Sequence, residues 1–241
     1  MPAVLVHGVP ETAHVWEPLV HALGRTDVEL LHLPGFGTPV PPGFTPDMES
    51  YASWLAEALA DYPDCDFVGH DWGAILALRV LVDPPSTIRS WVLDIGNLDE
   101  SFVWHDIARA WQTEGDGEAM MQGILDASTT DRAALLTSLG VPKAGALTMA
   151  AAFDETMASV ILPLYRSATD IGRAWGPGVD QIRGNGLVIG RGNDPYVSMR
   201  SARELARRLG VELAELPEAG HWWMLDSPET AAPILERFWT E

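Results

Sequence analysis

The pentapeptide Gly69–Gly73, which reads Gly-His-Asp-Trp-Gly, decides the interpretation of this chain. The mostly apolar run Cys65–Val68 precedes it, and the apolar stretch Ala74–Val80 follows it. This order predicts a strand, a sharp turn and a helix, with a glycine on each side of one reactive side chain, Asp71. Since glycine tolerates the backbone geometry of tight turns, the pattern places the Asp71 carboxylate at the end of a sheet.

A reactive residue between two glycines, at a turn from strand to helix, is the arrangement of the nucleophile elbow G-x-S-x-G. Esterases and lipases carry Ser at its centre, whereas this chain carries Asp71. A carboxylate is already an anion at neutral pH, so it needs no base to activate it. It is a poor choice against an amide or ester, but it suits displacement of a leaving group from saturated carbon. Asp71 therefore predicts attack on an epoxide ring or a carbon–halogen bond.

Four short stretches together resemble α/β-hydrolases of the epoxide hydrolase and haloalkane dehalogenase type. They are Val4–Pro10, the pentapeptide Gly69–Gly73, Gly192–Asp194 and Ala219–His221. Each stretch is weak alone, but they follow the order nucleophile, acid, histidine, and each lies at the end of a predicted strand. The resemblance covers nearly the whole chain and implies an α/β-hydrolase fold, a mostly parallel sheet with a helical cap.

Short apolar runs alternate with helical patterns, which predicts a parallel sheet covered by helices on both faces. The family usually has a β-hairpin before the strand that ends in His-Gly. Because this chain begins at that strand, we expect about six strands rather than the customary eight. A helix should begin with Thr45 as N-cap and Pro46 at its first position and run to about Ala60. The other expected elements are strands at 3–6, 28–32, 65–68, 90–95, 187–189 and 211–216, and helices at 13–23, at 73–82 and after Ser198 and Ser227.

The segment from about residue 97 to 181 interrupts this alternation, because it is helical in pattern with no clear strand. The resemblance places the family's cap here, so we expect a core at 1–96 and 182–241 with a cap at 97–181. A lid at this position excludes water from the strand ends, where open α/β sheets bind ligands. Trp104, Trp111 and Trp175 lie in the segment and either fill the cap's own core or face the site. Its expected helices are 102–111, 118–127, 131–139 and 154–169.

The resemblance also implies a mechanism in two steps. Asp71 attacks saturated carbon and forms an alkyl ester with the enzyme, and His221 then activates a water that hydrolyses this ester. Asp194 orients the imidazole and stabilises the imidazolium that develops. The backbone N–H groups of Val9 and Trp72 would form the oxyanion hole of the second step.

Each member of this triad has an alternative reading in the sequence. Asp71 could be a capping or salt-bridging aspartate, and His221 a surface histidine in its loop. Asp194 precedes Pro195, and an aspartate there is also a common turn residue. Asp94, which ends the preceding strand, is therefore the reserve candidate for the acid.

The leaving group depends on what the cap supplies. Opening an epoxide produces an alkoxide, so the site needs an acidic O–H donor aimed at the ring oxygen, and epoxide hydrolases usually provide two cap tyrosines. Here only Tyr165 lies within the expected cap, and Tyr165-Arg166 resembles the family's Tyr-Arg pair. For the second donor we expect His105 or Trp104, which we also assign to substrate binding.

A halide leaving group needs only weaker donors, and the indole N–H groups of Trp72 and Trp104 could cradle one. Against this alternative, Val9 stands where haloalkane dehalogenases offer an asparagine, and Pro10 resembles the His-Gly-x-Pro motif of epoxide hydrolases. Haloacetate dehalogenases carry arginines on the elbow helix, where this chain has Trp72 and Ile75. We rank epoxide hydrolase first, haloalkane or haloacid dehalogenase second, and a catalytically silent binding protein a distant third, because all three triad members are present.

Composition excludes some partners but decides little else. The chain has 241 residues, 47% hydrophobic content and a net charge of −19, which argues against nucleic acid or an anionic membrane as partner. Its single cysteine, Cys65, cannot form an internal disulfide and is expected to be a buried, inert thiol. No charged-then-apolar leader precedes Val4, and no apolar run approaches ~20 residues. We expect a cytoplasmic monomer or homodimer that acts on a small hydrophobic substrate without a cofactor or metal.

Overall fold

The computed structural model describes residues 1–240, which fold around one sheet of six strands. All neighbouring strands pair in parallel, in the order β2-β1-β3-β4-β5-β6. The strands are β1 Ala3–Val6, β2 Val28–Leu31, β3 Cys65–Gly69, β4 Ile88–Leu93, β5 Asn185–Arg191 and β6 Glu212–Leu216. The expected parallel sheet of about six strands is confirmed.

Twelve α-helices lie among the described residues, together with a 3-10 turn at Ala13–Trp16. Half of them follow β4 directly and precede β5. The helices are α1 Glu17–Ala22, α2 Met48–Ala60, α3 Trp72–Val80, α4 Asp106–Gln112, α5 Asp116–Asp126, α6 Thr129–Ser138, α7 Lys143–Ala152, α8 Glu155–Ser167, α9 Ile171–Val179, α10 Met199–Leu209, α11 Trp223–Asp226 and α12 Pro228–Thr240.

The sheet is covered on both faces, as a parallel sheet normally is. Every residue of β1 and β3 is buried. Successive side chains of a strand point to opposite faces, so Val4 and Val6 pack in one hydrophobic cluster and Ala3 and Leu5 in another. Cys65 is buried in the first of these clusters, as expected for an inert thiol.

The start of α2 differs from the sequence prediction, which placed the N-cap at Thr45 and the first helical residue at Pro46. Asp47 is the N-cap instead, and its carboxylate accepts the backbone N–H of Ser50 at 2.8 Å. Aspartate is among the best N-cap residues, so the helix begins after Asp47 and not at the weaker Thr-Pro signal that precedes it. The predicted starts after Ser198 and Ser227 match α10 and α12.

The segment 97–181, called here the inserted segment, is helical and contains no strand in its described residues, as predicted. Its helices pack on the rest of the chain, since α8 contacts α2 and α9 contacts α3. Two of its helices, α7 and α9, were not predicted. The N-cap of α7 is Pro142, whose ring carries no hydrogen-bonding group that could cap the helix. Helix α9 contains three glycines and Pro177, which weaken its helical pattern.

No single helix in residues 1–240 is long and apolar enough to cross a membrane. Only α7 and α8 taken together meet the length and composition of a span, and they meet at an angle of 95°.

Candidate active site

The site lies at one edge of the sheet because its residues follow the carboxyl ends of parallel strands. Asp71 comes two residues after β3, and Asp94 comes directly after β4. Asp194 follows β5, and His221 follows β6. The loop after β1 brings Val9 to the same edge. Five segments that are distant in sequence therefore meet at one place.

Asp71 occupies a strained turn, with φ 48° and ψ −118°, a conformation that residues other than glycine rarely adopt. Its flanking glycines are required by close packing. A Cβ atom on Gly69 would lie 2.8 Å from the backbone of Ala74, and one on Gly73 would lie 2.5 Å from the carbonyl oxygen of Val6. The pentapeptide therefore forms the tight strand–turn–helix connection that its glycines predicted.

The two carboxylate oxygens of Asp71 face different groups. Oδ1 accepts the backbone N–H of Val9 at 2.9 Å, while Oδ2 lies 3.8 Å from Nε2 of His221. The backbone N–H of Asp71 donates to Oδ1 of Asp94 at 3.0 Å, which holds the turn in place. The side chain is 18% exposed, so it is accessible to a ligand. One oxygen is thus held by the backbone and the other is open towards His221.

His221 is oriented from behind by Asp194, whose Oδ2 lies 3.0 Å from Nδ1 of the imidazole. Asp194 Oδ1 accepts the backbone N–H groups of Tyr196 and Val197 at 2.7 and 3.0 Å, and Arg191 Nε donates to Oδ2 at 2.9 Å. Burial alone would raise the pKa of Asp194, but His221 and Arg191 hold it well below its usual range. A charged Asp194 assigns the proton of His221 to Nδ1, which leaves Nε2 free as a base towards Asp71.

Asp94, the reserve candidate for the acid, pairs with His70 and not with His221. Its Oδ2 lies 2.5 Å from Nδ1 of His70, accepts the indole N–H of Trp223 at 2.6 Å and forms an ion pair with Arg191 at 2.8 Å. Burial opposes ionisation of Asp94, yet Arg191 and His70 keep its pKa well below its usual range. The structure thus brings Asp194, and not Asp94, to the imidazole of His221.

His70 is a buried charged residue that the sequence analysis did not single out. Its Nε2 lies 3.2 Å from Oε1 of Glu11, and Asp94 faces its Nδ1. Burial lowers its pKa, but the two carboxylates raise the pKa well above the usual value, so His70 is an imidazolium. Its ring centroid is 4.7 Å from that of His221. The only sequence signal for this network was the presence of a histidine inside the elbow itself.

Three potential metal-ligand atoms, from Glu11, His70 and His221, lie within 4.8 Å of one another. Glu11 also accepts the indole N–H of Trp222 and the backbone N–H of Gly8. Both ring nitrogens of His70 face carboxylates, so this ring offers no free lone pair to an ion. The group is therefore better described as an ion-pair network than as a metal site.

A cavity of about 90 Å³ opens in front of Asp71 and His221. Its walls come from the sheet edge on one side and from the inserted segment on the other, and they are predominantly apolar. The polar side chains among them are few: Asp71, His105, Arg132, Tyr165, Tyr196 and His221, together with the indole of Trp111 and that of Trp222.

Tyr165 on α8 lines this cavity and is buried. Aromatic rings surround it, with centroids at 5.3 Å for Trp72, 5.3 Å for Trp104 and 4.8 Å for Trp111. Burial and the negative charge of Asp71 raise the pKa of Tyr165 well above its ordinary value, while the nearby Trp72 indole opposes part of this shift. The phenol is therefore protonated and can act as a donor.

The neighbouring Arg166 turns away from the cavity and pairs with Glu118, with Nη1 and Oε1 2.7 Å apart. Trp175 also lies outside the cavity and donates its indole N–H to Glu49 at 2.6 Å. Of the three tryptophans expected in the inserted segment, only Trp111 lines the cavity.

Trp104 is not where a substrate-binding residue should be. Its indole N–H donates to the carbonyl oxygen of Ala168 at 2.8 Å, and its ring stacks on Trp72 at a centroid distance of 5.6 Å. It does not line the cavity. The expectation that Trp104 binds substrate or donates to a leaving group is corrected here, because its one donor is already used by the backbone. The indole of Trp72 is likewise buried outside the cavity, next to the ring of Tyr165.

His105 and Tyr196 also line the cavity. His105 caps α4 by accepting the N–H of Ala108 on Nδ1 at 3.3 Å, which assigns its proton to Nε2. Burial lowers the pKa of His105, so the ring is neutral. Tyr196 lies 4.8 Å, centroid to centroid, from both His105 and His221. The sequence analysis considered only the tyrosine of the inserted segment as a donor, although the position of Tyr196 two residues after Asp194 was a usable signal.

Comparison with known proteins identifies the family of this chain. The model of the alpha/beta hydrolase family matches residues 3–234, so the chain belongs to that family. No curated protein matches the chain. Among solved structures, the chain resembles the epoxide hydrolase CorEH with a TM-score of 0.79 and 17% identity, over 99% of this chain and 91% of the other.

Two further structures are similar over a comparable length. A hydrolase from Pseudomonas aeruginosa superposes with a TM-score of 0.74 at 20% identity, covering 100% of this chain and 90% of the other. The haloalkane dehalogenase DbeA from Bradyrhizobium elkanii superposes with a TM-score of 0.68 at 21% identity, covering 99% and 91%. At these identities the similarity establishes the fold, and both kinds of hydrolase share it.

Proposed function

We propose that this chain is a hydrolase that acts on saturated carbon through an alkyl ester on Asp71, and that it converts epoxides to diols. The supporting observation is the geometry of one carboxylate. Val9 N–H holds Oδ1 of Asp71 at 2.9 Å, while Oδ2 lies 3.8 Å from His221, which is itself paired with Asp194 at 3.0 Å. This arrangement leaves one oxygen to attack and keeps the base behind it.

In the first step, Oδ2 of Asp71 forms a bond to an epoxide carbon, and the bond from that carbon to the ring oxygen breaks. The ring oxygen takes the electron pair as a developing alkoxide and receives a proton from Tyr165, which is protonated and lines the same cavity. A second donor shares this oxygen: we favour the Tyr196 hydroxyl, with the Nε2–H of His105 as the alternative. No cofactor is needed for this step.

In the second step, Nε2 of His221 takes a proton from water, and the hydroxide adds to the carboxylate carbon of Asp71. The oxyanion that forms is Oδ1, which Val9 N–H already contacts, and Trp72 N–H is the second donor. Collapse of this intermediate breaks the bond between the carboxylate carbon and Oδ2 and releases Oδ2 with the product, and this oxygen takes the proton held by His221. The second proton of the water, left on the carboxyl group of Asp71, returns to Tyr165 and restores both residues. Asp194 stabilises the imidazolium between these events.

We further propose that the inserted segment is a cap, and that residues 1–96 and 182–241 form the catalytic core. Helices α4, α6 and α7 contribute apolar side chains to the cavity in front of Asp71. Apolar walls exclude water from the first step, in which water would compete for the epoxide, and they select small hydrophobic substrates.

Trapping of the ester intermediate tests this proposal. His221→Gln removes the base and blocks the second step but spares the first, so mass spectrometry should find one substrate equivalent on the peptide that contains Asp71. The matched control Asp71→Asn should give no adduct. Normal turnover by His221→Gln, or label on another residue, would contradict the mechanism.

Dehalogenation remains the second candidate, because the haloalkane dehalogenase DbeA shares the fold. Neither Trp72 nor Trp104 lines the cavity, so the two indole N–H groups expected to hold a halide give this candidate no support. Incubation with a panel of epoxides and alkyl halides, scored for diol against released halide, decides between the two. Halide release faster than any diol formation would favour the dehalogenase, and no turnover of either class would favour a binding protein.

A further inference from the structure

Arg132 is the only lysine or arginine among the described residues that line the cavity. Its Nη1 donates to the carbonyl oxygen of Phe153 at 2.5 Å, and within residues 1–240 no carboxylate lies within ion-pair distance of it. Its Nε is buried without an acceptor in the described chain. Most other arginines near helices of the inserted segment are paired, as Arg166 is with Glu118. Arg89 and Arg166 also have a buried Nε without an acceptor, so what distinguishes Arg132 is that it lines the cavity without an ion-pair partner in the part of the chain that the structure describes.

Arg132 lies at the outer end of the cavity. Leu136 on α6 and Leu139, just past the end of this helix, form part of one cavity wall. The next residue, Gly140, is close to the Trp222 ring beside His221, since a Cβ atom on it would lie 3.8 Å from that ring. Arg132 lies on α6, about two turns before Leu139. Arg132 also borders a depression formed with residues of α5, so it lies where the cavity wall meets the outer surface.

The free Nη2 group of the guanidinium suits one class of ligand. Nη1 is used by Phe153 and Nε is buried, whereas Nη2 carries no bond to the described protein. A charged N–H donor suits an anionic group such as a carboxylate. The net charge of −19 repels anions from the protein as a whole, so an anionic group needs a local cation of this kind.

We propose that Arg132 is an anion subsite at the cavity mouth, and that the substrates are apolar molecules bearing a carboxylate at the end remote from the reacting carbon. The inference about substrate rests on the proposed function, since it takes Asp71 as the reacting end. The apolar wall between Asp71 and Arg132 would hold the hydrocarbon part. An alternative role for Arg132 is purely structural, as a tie between α6 and the carbonyl at the end of α7.

Binding of unreactive probes separates these roles without requiring turnover. Octanoate and the neutral 1-octanol are titrated by calorimetry into the wild type, R132Q, R132K and the control R109Q, whose arginine is exposed and paired with Asp106. R132Q should lose about tenfold more affinity for octanoate than for octanol, because the lost hydrogen bonds are to a charged group. R132K should lose less than R132Q, and R109Q should match the wild type. Thermal melts check that each variant is folded.

A wild type that binds octanol as tightly as octanoate would overturn the proposal. So would an equal loss of affinity for both probes in R132Q, which is the result expected of a structural tie. Arg132-dependent binding of octanoate by a protein that opens no epoxide would instead support the anion subsite and contradict the proposed reaction. Where epoxides are opened, R132Q should raise KM for an epoxide with a terminal carboxylate about tenfold more than for its methyl ester.

Discussion

The two walls of the cavity are built in opposite ways. On the sheet side, His70, Glu11 and Asp94 form a buried network in which each charge has a partner. Asp194 there accepts N–H groups from Arg191, Tyr196, Val197 and His221. On the side of the inserted segment, apolar side chains dominate and the polar groups are few and separated, with Arg132 only partly satisfied. The comparison indicates that the sheet side holds the reacting groups rigidly, while the other side sets which molecule is accepted.

This difference has an energetic consequence. Removing one member of a buried charge network strands its partner, which typically costs ~3–5 kcal/mol. Removing an apolar group from the opposite wall costs only the free energy of burying that group and of leaving a cavity. Such a change mainly alters the shape of the binding site. Substitutions on the two sides should therefore be distinguishable by whether stability or substrate preference changes.

The largest effect is expected on the sheet side, at Asp194. Asp194→Asn can keep the backbone bonds to Tyr196 and Val197, but the neutral amide no longer fixes the His221 tautomer or stabilises the imidazolium. Turnover of an epoxide substrate should fall by ~10³–10⁴, by analogy with the serine protease triad. Steady-state kinetics measure this loss, and a decrease of less than tenfold would remove Asp194 from the proposed triad.

On the opposite wall, Tyr165→Phe should lower diol formation by ~10², because a developing alkoxide in a dry cavity loses a donor worth roughly 3 kcal/mol. The thermal melting temperature should barely change, since Phe retains the contacts with the surrounding tryptophans. Tyr196→Phe is the matched variant that tests the second donor. Diol formation within threefold of the wild type for Tyr165→Phe would show that Tyr196 or His105 protonates the oxygen instead.

Asp94→Asn should affect stability more than Asp194→Asn does. The neutral amide leaves the buried imidazolium of His70 with Glu11 as its one carboxylate partner, and it weakens the ion pair with Arg191. We expect a loss of ~3 kcal/mol in the free energy of unfolding. Denaturant titration of both variants at the same pH measures it. A stability equal to that of the wild type would mean that the network is not charged as its geometry indicates.

The free energy of unfolding should also fall as the pH is lowered, because His7 is buried at the end of β1 in its neutral form. Its Nδ1 faces the carbonyl oxygen of Gly8 at 2.8 Å and its Nε2 accepts the N–H of Leu33 at 3.1 Å, and burial lowers its pKa to about 4. Because the folded pKa lies below the unfolded value of 6.5, the neutral form stabilises the fold above pH 6.5. Its contribution of ~2–3 kcal/mol is lost as the pH falls from 6.5 towards 4.

Urea titrations at pH 7.5 and 4.5 test this contribution, with His7→Gln as the comparison, because glutamine can donate and accept at the same place without titrating. The wild type should lose more stability than His7→Gln over this interval. Equal losses in the two proteins would assign the acid sensitivity to other groups.

The smallest effect on catalysis is expected from Trp104, behind the cavity wall. Trp104→Phe removes the hydrogen bond to Ala168 and part of the stack on Trp72, so the free energy of unfolding should fall by ~1–3 kcal/mol. Epoxide or halide turnover should stay within about threefold, because the indole does not line the cavity. A loss of turnover comparable to that of Tyr165→Phe would reinstate Trp104 as a ligand-binding residue.

Local signals in the sequence were sufficient for the fold. The alternation of apolar runs and helical patterns predicted the six parallel strands, since each strand gives a local signal in the sequence. The same approach missed α7 and α9, where Pro142 gives no side-chain cap and glycines hide the helical period. In α9 those glycines serve packing: a Cβ atom on Gly172 would lie 2.1 Å from the carbonyl oxygen of Asp99. Such a requirement exists only between segments that are far apart in the chain.

The sequence by itself determined the elbow around Asp71, because its glycines and the neighbouring strand and helix signals are all local. Only the tertiary structure decided that Asp194 rather than Asp94 faces His221, that Trp104 lies behind the cavity wall, and that Tyr196 joins Tyr165 in front of Asp71. The physical reason is that these roles depend on distances of a few ångströms between side chains from different strands and helices. Those distances are set by how the sheet edge and the inserted helices pack together, and no spacing along the chain encodes them.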